Sequence, residues 1–249
     1  MNNVISSQSF KYLRSSAFFV IMVLMVCLAF GDFWLARSSL NSVPEGVSAQ
    51  YEITGLSLLV SSVEGGIVYV IVGLLASLLI CSDFSTQSIR QIIGKGTGKL
   101  NYTLGTLFTI FLFSMIVVLF YYLCTFGIFT VYCKKAGLNE WKQLLWLLLA
   151  TFCATFNYTA FVMFVASLSK RVSITIPFAI MTPSILELVV MTFSTKEMVK
   201  YPLDLTTSFE NILYATHKAC PRIYSVLGLV ALGIIFTILS IIVVKKKEY

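Results

Sequence analysis

Long apolar runs alternate with short polar segments along this chain. Residues 15–31, 65–82, 100–133, 143–169 and 223–244 contain no Asp, Glu, Lys or Arg. Residues 172–195 form a sixth apolar run, interrupted only by Glu187. A hydrocarbon layer about 30 Å thick is crossed by roughly 20 helical residues, and each run reaches or approaches that length. The runs are apolar on every face and lack the alternation over about 10 residues that barrel strands show. Lipid offers no partners for backbone N–H and C=O groups, so these segments must satisfy their own hydrogen bonds as helices.

The pattern predicts an all-α, polytopic membrane protein with six transmembrane helices in one transmembrane domain, residues 1–249. The expected spans are about 17–35, 58–81, 102–132, 143–169, 172–193 and 223–244, and residues 1–16 are polar, with Lys11 and Arg14. An inner loop, 82–101, separates spans two and three, and an outer loop, 195–222, precedes span six.

Composition sharpens this picture. Apolar residues make up 58% of the chain and charged residues 12%, against about 45–50% and about 25% in a soluble domain. The net charge of +7 would suggest nucleic acid if it lay on a soluble surface. Here the basic residues flank apolar runs, where they set orientation, and no nucleic-acid partner is expected. Lys11, Arg14, Arg90, Lys95, Lys99, Lys170, Arg171 and Lys245–Lys247 fall on one side of an alternating topology, against only Asp83 and Glu248. Both termini are therefore expected in the cytoplasm, although Lys134 and Lys135 run against the rule on the outer side. The first run is long for a signal-peptide core, and the residues that follow it make a poor cleavage site.

Little in the chain suggests an enzyme. Gly94-Lys95-Gly96-Thr97-Gly98-Lys99 lacks the spacing of a phosphate-binding loop, and no strand precedes it. The one histidine, His217, has no partner at zinc-ligand spacing. No catalytic or metal-ligating set is expected, and the chain binds no cofactor of its own. Glu64 and Glu187 lie in or near spans, where a carboxylate is expensive and faces a cavity or a partner. They are candidates for a substrate path, with interfacial or helix-packing roles as the simpler reading. Asp32 is read as a span-end residue. Pro177 and Pro183 are expected to kink span five. Cys133 and Cys220 fall on the same expected side, and the sequence leaves open whether they pair.

The loop between spans two and three carries the most specific pattern. It contains Asp83-Phe84-Ser85-Thr86-Gln87-Ser88-Ile89-Arg90, then Lys99-Leu100-Asn101-Tyr102-Thr103-Leu104-Gly105. This resembles the type-2 permeases of ATP-binding-cassette (ABC) transporters. Their corresponding loop reads acid, three variable residues, Gly-Thr, an aliphatic residue and a base. A further base, a Tyr and a Gly-Lys pair then open span three. Asp83, Ile89, Arg90, Lys99, Tyr102 and Gly105 match. Gln87-Ser88 replaces Gly-Thr, Gly96 stands where Pro is common, and Thr106 stands where Lys is expected.

The resemblance implies an ATPase-coupling helix, with Phe84 and Ile89 offered to a partner's groove and Asp83 and Arg90 at its rim. It implies that Lys99 and Tyr102 complete the coupling loop, and that Phe209, Ile212 and Leu213 form the apolar face of an outer re-entrant helix. By the same resemblance the chain is a permease subunit in a bacterial plasma membrane. Two ABC ATPase subunits carrying ATP and Mg, and a second identical or related permease, are the implied partners. The cargo class would be a hydrophobic or amphipathic peptide, or a lipid-like compound, as in bacteriocin or lantibiotic export and immunity. The alternative from the residues alone is a secondary transporter or channel working through Glu64 and Glu187. A membrane enzyme or a non-transporting scaffold is a third class.

Overall fold

The structure, a computed structural model, describes residues 2–41, 55–64, 67–85, 89, 94, 98–133, 141–181, 208, 211–212 and 222–246. Among these it is all-helical. In chain order the helices are α1 (Asn2–Leu13), α2 (Ser16–Asn41), α3 (Gly55–Glu64), α4 (Ile67–Ser85), α5 (Lys99–Cys133), α6 (Trp141–Ser169), α7 (Val172–Met181) and α8 (Arg222–Lys246). Five segments are long and apolar enough to cross a membrane: Ser16–Ser38, Ile67–Phe84, Lys99–Cys133, Lys142–Ser169 and Arg222–Lys246. This is the helix pattern of a multi-pass membrane protein. Of the expected fifth span, the described part is the ten-residue α7.

Residues 2–13, within the polar N-terminal segment, are helical. Within the span expected over 58–81, the described residues belong to α3 and α4.

The longest helix, α5, has 35 residues and stands at the centre, packed against α1, α2, α3, α4, α6 and α8. At 1.5 Å per residue it extends about 52 Å, more than a hydrocarbon layer, so its ends reach beyond the apolar zone. Val72, Leu75, Ile110, Val117, Val118 and Leu147 are buried where α4, α5 and α6 meet. Small residues let backbones approach, as expected where lipid tails are as apolar as the helices themselves. Ala150, Ala154 and Ala166 of α6 are fully buried. Gly233 of α8 sits against α6, where an added Cβ would lie 2.6 Å from the Phe156 ring and 3.3 Å from the Asn157 Cα. By contrast, α2 and α8 keep Phe19, Val20, Val23, Ile234 and Ile235 exposed, a surface that suits lipid better than water.

Several hydroxyl groups inside the bundle are returned to the helix that carries them. Thr109 donates to the Gly105 carbonyl at 2.8 Å, and Thr151 to the Leu147 carbonyl at 2.7 Å. The Tyr122 hydroxyl pairs with Thr151 Oγ1 at 2.7 Å, tying α5 to α6. After α6, Lys170 adopts φ 55°, and its N–H closes the helix on the Ala166 carbonyl at 2.9 Å. A left-handed residue at this position is a common helix stop. The chain then turns directly into α7, whose Thr175 lies 2.8 Å from Ser169 Oγ and accepts from Cys81 Sγ of α4 at 3.4 Å.

Candidate functional site

One end of the bundle is organised around a single carboxylate. Asp83 lies in the last turn of α4 and is fully buried. Lys11 of α1 forms an ion pair with its Oδ1. Its Oδ2 accepts from Gln8 Nε2 at 2.9 Å, from the Tyr102 hydroxyl of α5 at 3.0 Å and from the Tyr12 hydroxyl at 3.4 Å. A buried charge is tolerated only when its lone pairs are satisfied. Here donors from α1 and α5 satisfy them, so the carboxylate ties three helices together. The Lys11 side chain is 37% exposed and Asp83 0%, which leaves the ammonium partly hydrated while the carboxylate depends on protein donors. Burial pushes the Tyr12 phenol well above its ordinary range, and the Asp83 charge beside it pushes the same way. Tyr12 therefore keeps its proton and remains a donor.

The local sequence explains how α1 reaches this position. Val4, Gln8 and Tyr12 recur every four residues, which places them on one helix face, and all three are buried. The opposite side carries exposed Phe10, with the Arg14 guanidinium 5.7 Å from its ring centroid. At Gly105 an added Cβ would lie 3.0 Å from Val4 Cγ1 and 3.3 Å from Val4 Cβ. The glycine thus lets α1 lie close against α5. Val4, Tyr102 and Ile89 form a small buried cluster, with Phe84 packed against it.

The polar pattern Asp83, Lys99, Tyr102, Gly105 is therefore gathered at one end, though not in the expected arrangement. Asp83 was placed at the rim of a docking groove, but it lies inside the chain, because α1 covers it. Ile89 was to face a partner, but it is 2% exposed and packs against α1 and Tyr102. Phe84 is half-buried on the same cluster. The expected loop also starts later than position 82, since α4 continues to Ser85, and ends earlier, since α5 begins at Lys99. Arg90 lies outside the described residues.

Lys99 Nζ donates to the Lys245 carbonyl at 3.4 Å. This contact brings the C-terminal turn of α8 to the Asp83 end. The Cys81–Thr175 contact brings the Lys170-Arg171 turn there as well. Among the described residues, Lys11, Arg14, Lys99, Lys170, Arg171, Lys245 and Lys246 thus lie at one end of the bundle, around the one acid Asp83.

Of the remaining candidates, Ile212 is fully buried, while Phe209 and Leu213 lie outside the described residues. Glu64 is the last residue of α3, and its side chain is not described. Glu187 lies outside the described residues, as do Pro183 and Cys220. Cys133, at the end of α5, is a half-buried free thiol.

The sequence reading missed two features. One is the α1 face, whose signal was the four-residue spacing of Val4, Gln8 and Tyr12. The other is Asp32 on α2, which accepts a hydrogen bond from the Tyr121 hydroxyl of α5. Asp32 borders a cleft of about 580 Å³ with Ser38, Ser61, Ser62, Leu35, Leu58 and Phe129. Tyr121 lies 19 residues along α5 from Tyr102, or about 28 Å at the helical rise, so the two carboxylates mark opposite ends of the bundle. A second cleft of about 360 Å³ lies between α3, α5 and α6 and is lined by leucines with Tyr122 and Phe126.

No protein-family model matches this chain, and no curated protein matches it.

Proposed function

We propose that this chain is the membrane-spanning subunit of an ATP-driven ABC exporter. It crosses a bacterial plasma membrane six times, with both termini in the cytoplasm. The observation that carries this reading is the gathering of Asp83, Lys99, Tyr102 and Gly105, the residues of the type-2 permease pattern, at the most basic end of a helical bundle. Basic residues favour the cytoplasmic side, which is where an ATPase would dock. In this reading the Asp83 cluster is the rigid root of the coupling segment. Arg90 is the residue of that segment expected to meet the ATPase.

Such a subunit is not an enzyme by itself. ATP and Mg belong to two partner ATPase chains, and a second permease, identical or related, completes the pathway. A hydrophobic or amphipathic peptide, or a lipid-like compound, suits helices whose interior is apolar with scattered hydroxyls.

The test is co-purification of the tagged protein from its native membrane in mild detergent. A stoichiometric partner carrying a phosphate-binding loop is the expected result. With that partner in hand, Arg90→Glu should uncouple ATP hydrolysis from transport while the complex still assembles. Absence of any ATPase under several gentle conditions would overturn the proposal. Glu64→Gln and Glu187→Gln would then test proton-coupled transport as the alternative.

A further inference from the structure

The cleft beside Asp32 has the chemistry of a binding site, independent of what drives transport. Its position is unusual for a carboxylate. Asp32 falls within the apolar segment Ser16–Ser38, and an ionisable side chain in such a segment is a functional candidate by default. One of its oxygens, Oδ2, accepts from the Tyr121 hydroxyl. Among the described residues no Lys, Arg or His forms an ion pair with Asp32.

Three of the hydroxyls around it, those of Ser61, Ser62 and Tyr121, are already oriented. Ser61 donates its proton to the Leu58 carbonyl at 2.9 Å, and Ser62 donates to the Leu59 carbonyl at 2.8 Å. Tyr121 spends its proton on Asp32 itself. The cleft therefore offers a carboxylate and hydroxyl oxygens that still have lone pairs, with few protons to give. Leu35, Leu58 and Phe129 supply an apolar wall. The volume of about 580 Å³ falls in the range of small-molecule pockets, about 300–1,000 Å³.

We propose that this cleft binds a primary ammonium attached to a compact apolar body, with the ammonium on Asp32 and the body against Leu35, Leu58 and Phe129. An acceptor-rich, donor-poor site favours a cation that carries N–H groups over a neutral alcohol or a quaternary amine, and charge-assisted hydrogen bonds are the stronger kind. The ammonium has two possible sources, a soluble amphipathic amine such as a lysine-bearing peptide or the headgroup of an aminolipid.

The full-length protein in phosphatidylcholine nanodiscs, which offer no N–H donors, is titrated with phenethylammonium at neutral pH, and thermal unfolding is followed. A saturable rise in melting temperature is expected, with 2-phenylethanol and the trimethylated amine ineffective. Asp32→Asn keeps an acceptor for Tyr121 and should preserve the fold, yet weaken the probe roughly tenfold or more. Equal binding of the neutral alcohol, or equal binding by Asp32→Asn, would overturn the proposal. So would the absence of any saturable effect in the wild type, the result expected if a cation of the chain itself already occupies Asp32. Repeating the titration in phosphatidylethanolamine nanodiscs separates the sources. A weaker apparent affinity there identifies the aminolipid as the occupant, and an unchanged affinity identifies a soluble amine.

Discussion

Asp83 and Asp32 both sit near the ends of apolar helices, about 28 Å apart along α5, and the protein treats them differently. Asp83 receives donors from Gln8, Lys11, Tyr12 and Tyr102 and is sealed from solvent. Asp32 receives the Tyr121 hydroxyl and borders an open cleft. A carboxylate surrounded by its own chain's donors holds helices together. One that keeps acceptor capacity beside a cleft is available to a ligand. The chemical group is the same, and the number and origin of the donors decide its role.

The largest effect should come from Asp83→Leu. It strands the donors of α1 and the Lys11 charge, and breaking a buried ion pair typically costs about 3–5 kcal/mol. The partial exposure of Lys11 lowers this toward about 2–3 kcal/mol. Limited trypsin digestion should then cleave after Lys11 or Arg14 much faster than in the wild type. Unchanged cleavage would mean that α1 is held by other contacts.

Next in size is Gly105→Leu. Its side chain would meet Val4, and such overpacking costs about 1–3 kcal/mol. The same digestion should show α1 released, while binding at the distant Asp32 cleft stays intact. Gly233→Leu should cost a similar amount by forcing α8 from Phe156 of α6. It would be read as a lower melting temperature with trypsin cleavage after Lys11 unchanged.

The smallest effect should come from Tyr121→Phe. Loss of one hydrogen bond to Asp32 costs about 1 kcal/mol, and the freed acceptor should bind the ammonium probe no more weakly than the wild type does. A large loss of stability there would show that Asp32 is a second structural centre and erase the contrast with Asp83.

Much of the fold was legible because membrane-scale apolar runs leave few choices. Five of the expected spans fall on helices long and apolar enough to cross a membrane, although among the described residues the second of these starts at Ile67. The helix over residues 2–13 was not legible, because its buried face is Val4, Gln8 and Tyr12. Gln8 interrupts that stripe and the segment around it is polar, so it resembles a solvated segment until Asp83 is brought against it. The residues Asp83 and Tyr102 were singled out by the resemblance to type-2 permeases, but their direct hydrogen bond was not foreseen. Asp32 gave no signal beyond a charge near a span end. Its partner Tyr121 is one tyrosine in a uniformly apolar run.

By itself the sequence determined the class of the protein: helical, apolar, with its basic residues at the ends of its spans. The physical reason is that a hydrocarbon layer enforces length and self-satisfied backbones segment by segment, and a linear chain displays both. Only the tertiary structure decided which carboxylate became structural and which borders a cleft. Gln8 and Lys11 lie more than 70 positions from Asp83, and Tyr121 lies 89 from Asp32. Such distant donors are counted only after the helices have packed.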